Sequence, residues 1–281
     1  MSTSQTMYEQ NVYFPDVFKG CLHNCVYCKP SFQRQAKRQK QRCQKCYTFE
    51  PHTHFERLKK RSPGTVYAMG GYIKAPATVG DQFVFFPKGG DPCYASRSEL
   101  GTMLHYVEKN PQTAFLMQTK NPIFMQGIEE FPSNLIVGIT LETNREVFEG
   151  FPKFKDYGAI SEAPLPRHRA HDFLRVKYEP KFVTVEPILQ FDLAVFAYWI
   201  MAINPKVVYV GYDTKGCKLP EPTLAETLEL IKFLENEGIT VRRKTIRKAW
   251  YESKHLRDAK RQRKYSPRLC NSISEKGTEQ K

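Results

Sequence analysis

The sequence predicts an α/β protein built on a parallel sheet, and three observations carry that expectation. Apolar, β-branched runs recur about every thirty to forty residues, the spacing of right-handed βαβ units. The stretches between them carry helical periodicity, as at Leu100, Met103, Leu104 and Val107. With 281 residues, 41% hydrophobic and 26% charged, the chain has an ordinary globular composition and suffices for one large α/β domain or two small ones.

The first strand is expected over Asn11 to Phe18, an aromatic and β-branched run that leads into Gly20 to Pro30. This loop holds Cys21, Cys25 and Cys28 in a CxxxCxxC array. Three thiolates on one tight loop can hold three corners of an iron–sulfur cube, leaving the fourth iron without a protein ligand from the loop. Zinc more often takes paired cysteines with a second pair further on. Ser31 to Gln44 is polar and helix-permissive, without an apolar stripe. Cys43 and Cys46 follow as a CxxC with His52 and His54 nearby. Three readings stay open there: zinc at Cys43/Cys46, a free or redox pair of thiols, and ligands of a second cluster.

Gly80 to Phe86 reads as the second strand, ending at Gly89-Gly90-Asp91 with Cys93 beyond. Glycines at a strand end let backbone approach a ligand closely, and a carboxylate beside them can accept hydrogen bonds from an ammonium. A helix is expected over Arg97 to Lys109, stopped by Asn110-Pro111. The third strand is Thr113 to Gln118, followed by Lys120 and a short helix through Phe124 and Ile128. Leu135 to Thr140 is the fourth, with Glu142 at its end. Residues 146–180 carry too many Gly and Pro for regular structure, apart from a helix over Arg167 to Tyr178. The fifth strand, Phe182 to Val185, runs into Glu186-Pro187, and Asp192 is placed to cap a helix over Leu193 to Ile203. Val207 to Val210 is the sixth, leading to Asp213 and Cys217. Thr223 to Asn236 is the most amphipathic helix, Gly238 terminates it, and Ile239 to Val241 reads as an edge strand. The chemistry-bearing residues thus follow strand C-termini, where barrel enzymes of this class carry their active sites.

No run approaches the roughly eighteen apolar residues of a membrane span. The N-terminus, Met-Ser-Thr-Ser-Gln-Thr, lacks the pattern of a signal peptide. The expectation is a cytoplasmic protein without membrane partners, its eight cysteines reduced or metal-bound rather than in disulfides. The net charge of +14 is concentrated: residues 29–61 are net +9, residues 242–269 net +10, and the remainder is net acidic. Two basic segments are the footprint expected for a polyanion, and abundant Tyr and Phe could stack on bases, so a nucleic acid is the leading partner class.

CxxxCxxC with an aromatic, Tyr27, just before the third cysteine resembles the signature of the radical S-adenosylmethionine (SAM) superfamily. Gly89-Gly90-Asp91 is similar to its Gly-Gly-Glu motif, with Asp for Glu. The strings Phe115 to Pro122, Asn134 to Asn144, Phe182 to Leu189 and Val208 to Asp213 resemble a little-characterised, phage-associated branch, over roughly residues 12–250. The resemblance implies a partial (α/β)6 TIM-like barrel over residues 1–250, with a basic CxxC-bearing insertion at 29–61 and a basic, disordered tail at 251–281. It implies a [4Fe–4S] cluster on Cys21, Cys25 and Cys28 whose open iron binds SAM, reductive cleavage to a 5′-deoxyadenosyl radical, and hydrogen abstraction from a substrate. An electron donor such as a flavodoxin or ferredoxin follows from that chemistry. Tyr27 would lie beside the adenine, and Gly89, Gly90 and Asp91 would contact the SAM ammonium. Lys120 would neutralise the SAM carboxylate or a neighbouring acid. Glu142 is a ribose or carboxylate-network residue, while Glu142, Glu186 and Asp213 either touch ligand or are salt-bridged interior acids. Cys93 and Cys217 would stand at the barrel mouth, as thiols that return a hydrogen atom or as small buried hydrophobes. The rival reading is a zinc-stabilised nucleic-acid-binding protein without radical chemistry.

Overall fold

The computed structural model describes residues 8, 11, 16–59 and 83–252. The tail expected at 251–281 lies outside them beyond Glu252, as do the start of the second expected strand, most of Asn11–Val17 and Cys270. The chain runs through β1 (Phe18–Gly20), then a lobe of short helical turns containing α1 (Arg34–Ala36) and α2 (Gln44–Thr48), and β2 (His52–Thr53). Then come β3 (Val84–Phe85), β4 (Gly89–Gly90), α3 (Arg97–Glu108), β5 (Phe115–Thr119) and β6 (Leu135–Thr140). The last elements are α4 (Pro166–Leu174), β7 (Lys181–Val185), α5 (Leu193–Ile203), β8 (Val207–Val210), α6 (Leu224–Asn236) and β9 (Thr240–Arg243).

Six strands form one sheet in the order β3-β5-β6-β7-β8-β9, every neighbouring pair parallel, curled into a half-barrel. The expected parallel α/β fold is therefore present. Its composition differs at one edge. Of the first expected strand, Asn11 makes only an isolated parallel bridge to Phe83 beside β3, and the last member of the six is the strand expected at the far edge. Instead β1 pairs parallel with β4 and antiparallel with β2 in a sheet of three. Pro87, which has no N–H to donate, separates β3 from β4. β3 thus pairs with β5 while β4 turns to β1.

Along β5, Phe115 and Met117 face the main core beneath the helices, whereas Leu116 joins the cluster inside the barrel. That inner cluster includes Tyr8, Phe83, Ile136, Phe182 and Tyr209. Each such fully buried side chain contributes about 1.5–3 kcal/mol. Two helices start with reciprocal capping boxes, Ser96 with Glu99 on α3 and Thr223 with Glu226 on α6. Asp192 precedes α5 but makes no side-chain cap. Its carboxylate accepts instead from Arg145 Nη2 at 2.6 Å and Asn144 Nδ2 at 3.3 Å, because a guanidinium is a stronger donor than a helix N–H. No helix among the described residues is long and apolar enough to cross a membrane.

Gly20 and Gly90 face each other across β1 and β4. A Cβ on Gly90 would lie 2.4 Å from the Gly20 carbonyl oxygen, whereas one on Gly101, in α3, would meet nothing within 4 Å. Gly90→Ala is expected to cost about 1–3 kcal/mol in urea unfolding, and Gly101→Ala to gain about 0.4–1 kcal/mol.

Candidate functional site

The cysteine loop folds over the C-terminal ends of the strands. It starts at Gly20, which has φ +89° and is pressed so closely on the Glu50 carbonyl that a Cβ would sit 2.0 Å from its oxygen. Backbone bonds tie the loop to the rest of the chain: Cys21 N to Phe49 O (3.2 Å), Val26 N to Ile160 O (2.9 Å) and Glu162 N to His23 O (2.8 Å). Cys21, Cys25 and Cys28 thereby line one cleft of about 650 Å³, open to solvent. Gly89, Gly90, Asp91 and Lys120 line the same cleft, and Gln118 and Thr140 rise into it from the sheet. The loop after the first strand and the loops after β4 and β5 meet here, as their strand-end positions led one to expect.

The thiols are not equivalent. A hydrogen bond from Cys28 lowers Cys25 to about 5, overcoming burial, with help from the Lys120 cation and the Ser161 hydroxyl 3.0 Å away. Donating that bond holds Cys28 well above the ordinary thiol value, and burial pushes Cys21 up to about 12. The loop favours one thiolate and holds two further sulfurs beside it.

Behind the loop lies a buried ion cluster. Glu142 is 0% exposed; its carboxylate is paired with Lys120 Nζ and, at 2.9 Å, with Arg169 Nη2. Tyr27 donates to it at 2.6 Å and Tyr157 at 3.1 Å. Burial alone would raise its pKa, but the two cations and their hydrogen bonds bring it down to about 2. Burial works against the Lys120 charge, yet Glu142 holds its pKa above the ordinary value. Two cations against one carboxylate leave the cluster with an excess positive charge, and Lys120 presents it to the cleft.

Asp91 is also buried, and its two oxygens accept four hydrogen bonds: from His23 Nε2 (3.1 Å), Cys93 N (3.1 Å), Thr119 Oγ1 (2.5 Å) and Lys120 N (2.8 Å). Despite burial, these donors lower its pKa. The opposite nitrogen of His23 meets Tyr94 Oη at 2.9 Å. Glu186, raised by burial, is paired with Lys244 and does not line the cleft. Asp213 accepts from the backbone of Lys215 (2.9 Å) and Cys217 (2.7 Å), closing a turn. Cys93 Sγ stands 3.7 Å from His23 Nε2, and Cys217 packs beside a satellite apolar cluster. Burial raises both thiols, Cys217 to about 11, and neither lines the cleft.

Two groups of side chains, among the described residues, bring ligand atoms within 4.8 Å of one another and could hold a metal ion: Cys43, Cys46, His52 and His54, and His23, Asp91 and Cys93. In the second, both His23 nitrogens already have protein partners. Compared with protein-family models, curated proteins and solved structures, the chain finds no match. The site therefore rests on its own geometry.

Sequence reasoning missed Arg169, Tyr157, Ser161, Gln118 and Thr140. Gln118 and Thr140 sit at the ends of recognisable strands, and a polar residue on an otherwise apolar inward face was a usable signal. For Arg169, inside a charged helix segment, no such signal exists.

Glu142→Gln leaves Arg169 and Lys120 without their anion and should cost about 3–5 kcal/mol in denaturant unfolding at neutral pH. Because the folded-state pKa lies below the free carboxylate's 4.5, the pairing contributes fully above 4.5 and is lost as pH falls toward about 2. The stability gap between wild type and Glu142→Gln should narrow over that interval.

Proposed function

We propose that the chain is a radical SAM enzyme acting on a nucleic acid, with Cys21, Cys25 and Cys28 holding a [4Fe–4S] cluster. The observation carrying this reading is that the three thiols line the same cleft as Gly89, Gly90 and Lys120. The donor set fits the group. Three cysteine sulfurs on one tight loop, all facing the same cleft, are the donors such a cluster takes at three of its corners. When bound, the reduced cluster with SAM on its open iron supplies a 5′-deoxyadenosyl radical that abstracts a hydrogen atom from substrate.

The chain's own residues bind and orient. Lys120, fixed by Glu142, offers a cation to an anionic group in the cleft, such as the SAM carboxylate. Tyr27, held by its hydroxyl to Glu142, keeps its ring 5.3 Å from the Lys120 ammonium, behind the residues that line the cleft. Gly89 and Gly90 line the cleft from β4, where their lack of a side chain lets β4 pack against β1, while Asp91 braces the turn that follows; a SAM ammonium reaching Asp91 would displace one of its four donors. Cys43 and Cys46 take no part in this chemistry and suit zinc. A one-electron donor of the flavodoxin or ferredoxin class would reduce the cluster.

Support for a nucleic acid comes from the lobe between Lys29 and Phe49. Its seven Lys and Arg side chains are all exposed, and it contains no acidic residue. Phe32, Gln33 and Phe49 of the same lobe line the cleft. Exposed cations beside an aromatic-edged opening suit a phosphate backbone with a base turned inward.

After anaerobic reconstitution with iron and sulfide the protein should be brown, and Cys25→Ala should abolish the thiolate-to-iron absorption. Reduced enzyme should release 5′-deoxyadenosine from SAM, faster with RNA or DNA present. A colourless protein binding only zinc at Cys21, Cys25 and Cys28 would establish the binding-protein alternative instead. Release unchanged by any nucleic acid would remove the substrate class. Replacing Arg34, Lys37, Arg38 and Lys40 by Ala should weaken nucleic-acid binding at least tenfold in low salt and flatten its salt dependence.

A further inference from the structure

We infer that Cys43, Cys46, His52 and His54 form one structural zinc centre, and that its ion clamps the basic lobe to the strand that launches the cysteine loop. The four residues come from two local structures that each present a matched pair. Cys43 is the N-cap of α2 and Cys46 lies three residues on, so one helical turn places both sulfurs on one side. The Cys46 N–H donates to Cys43 Sγ at 3.4 Å, a bond that favours sulfur as thiolate. His52 and His54 are two apart along extended chain, which puts both rings on one face.

The atoms that meet are those a metal would take. His52 Nε2 lies 3.2 Å from Cys46 Sγ and 3.5 Å from Cys43 Sγ, and His54 Nε2 lies 3.1 Å from Cys46 Sγ. The two Nε2 atoms stand 2.9 Å apart. Zinc bound tetrahedrally, at about 2.3 Å to sulfur and 2.0–2.1 Å to nitrogen, would set these separations at roughly 3.3–3.8 Å. The observed set is that tetrahedron slightly contracted.

Hydrogen bonding on the far side of each ring settles what faces inward. His52 Nδ1 is 2.8 Å from the Glu50 carbonyl oxygen, and His54 Nδ1 is 3.2 Å from Glu56 Oε1. Both oxygens only accept, so each Nδ1 is the nitrogen that donates outward and each ring turns its Nε2 inward, the nitrogen left for a metal. Two Nε2 atoms facing each other 2.9 Å apart suit a cation shared between them. An acceptor behind each ligating imidazole is also the usual outer partner of a metal-bound histidine. Two thiolates and two imidazoles, four-coordinate and without an open position, select zinc in a structural role. Binding exchanges any remaining thiol protons for the ion.

The clamp follows from what the ligands belong to. His52 lies opposite Lys19 in the β1–β2 pairing, and the His54 N–H donates to Val17 O at 2.6 Å. α2 leads into Phe49, whose carbonyl accepts from Cys21 N. One ion thus joins the lobe to β1 directly beneath the first cysteine of the loop.

The test uses the full chain with Cys21, Cys25 and Cys28 replaced by Ala, so that zinc cannot reside on those thiols. Metal analysis of this protein should find a single zinc ion per chain, and cobalt exchanged for it should show the visible bands of a tetrahedral ion with thiolate charge transfer. Adding His52→Ala and His54→Ala should abolish stoichiometric zinc, whereas His54→Cys should retain it and strengthen the charge-transfer band. Absence of zinc from the first protein, or undiminished zinc after both histidines are replaced, would overturn the site. Hydrogen exchange reads the clamp: removing zinc should speed exchange at least tenfold over Val17–Cys21 and leave β6 to β8 unchanged. Unchanged exchange at Val17–Cys21 would overturn the clamp.

Discussion

A carboxylate with no access to water must have its charge answered by the protein, and Glu142 has this done from three directions. Arg169 reaches it from α4, Lys120 from the end of β5 and Tyr27 from the cysteine loop. Removing any one partner exposes the cost of the others' desolvation, so the cluster holds strand ends, an outer helix and the cysteine loop in one arrangement. That arrangement makes the cleft. Without the Tyr27 contact the loop would still be tied by backbone to Ile160 and Phe49, but its ring would lose its place beside Lys120.

The inside of the half-barrel changes character along its length. Tyr8, Phe83, Phe182 and Tyr209 pack against one another in the lower part, with ring centroids 4.9–6.3 Å apart. Beside and above this ring cluster the inward side chains are Gln118 on β5, Thr140 on β6 and Thr184 on β7, linked to each other and to the Tyr8 hydroxyl. The apolar part seals the barrel and the polar part floors the cleft. A polar ligand is thus admitted to a limited depth.

The two cysteine groups answer to different chemistry. Cys21, Cys25 and Cys28 line an open cleft beside the Lys120 ammonium. Cys43 and Cys46 close on two imidazoles at one point, with no room for substrate. On the reading proposed above, the first is where the reaction occurs and the second holds the lobe that meets the substrate.

The strand–helix alternation, the placement of chemistry at strand ends, the three-cysteine loop and both basic segments were determined by the sequence alone, because periodicity and local spacing encode them. The helix over Thr223 to Asn236 and the strands Leu135 to Thr140 and Val207 to Val210 emerge almost where expected, since their apolar patterns are long and their end signals local. Only the tertiary structure decided which strand joins which sheet. Pairing at the β1 edge depends on Pro87 and on two glycines distant in sequence meeting face to face. Tertiary structure alone also decided that Lys120 pairs with Glu142, that Arg169 completes the pair, and that Asp91 is saturated by four donors. Apart from the local Cys93 N–H bond to Asp91, each of these contacts joins residues more than twenty positions apart, and no one-dimensional pattern records which buried charges will share a desolvated space.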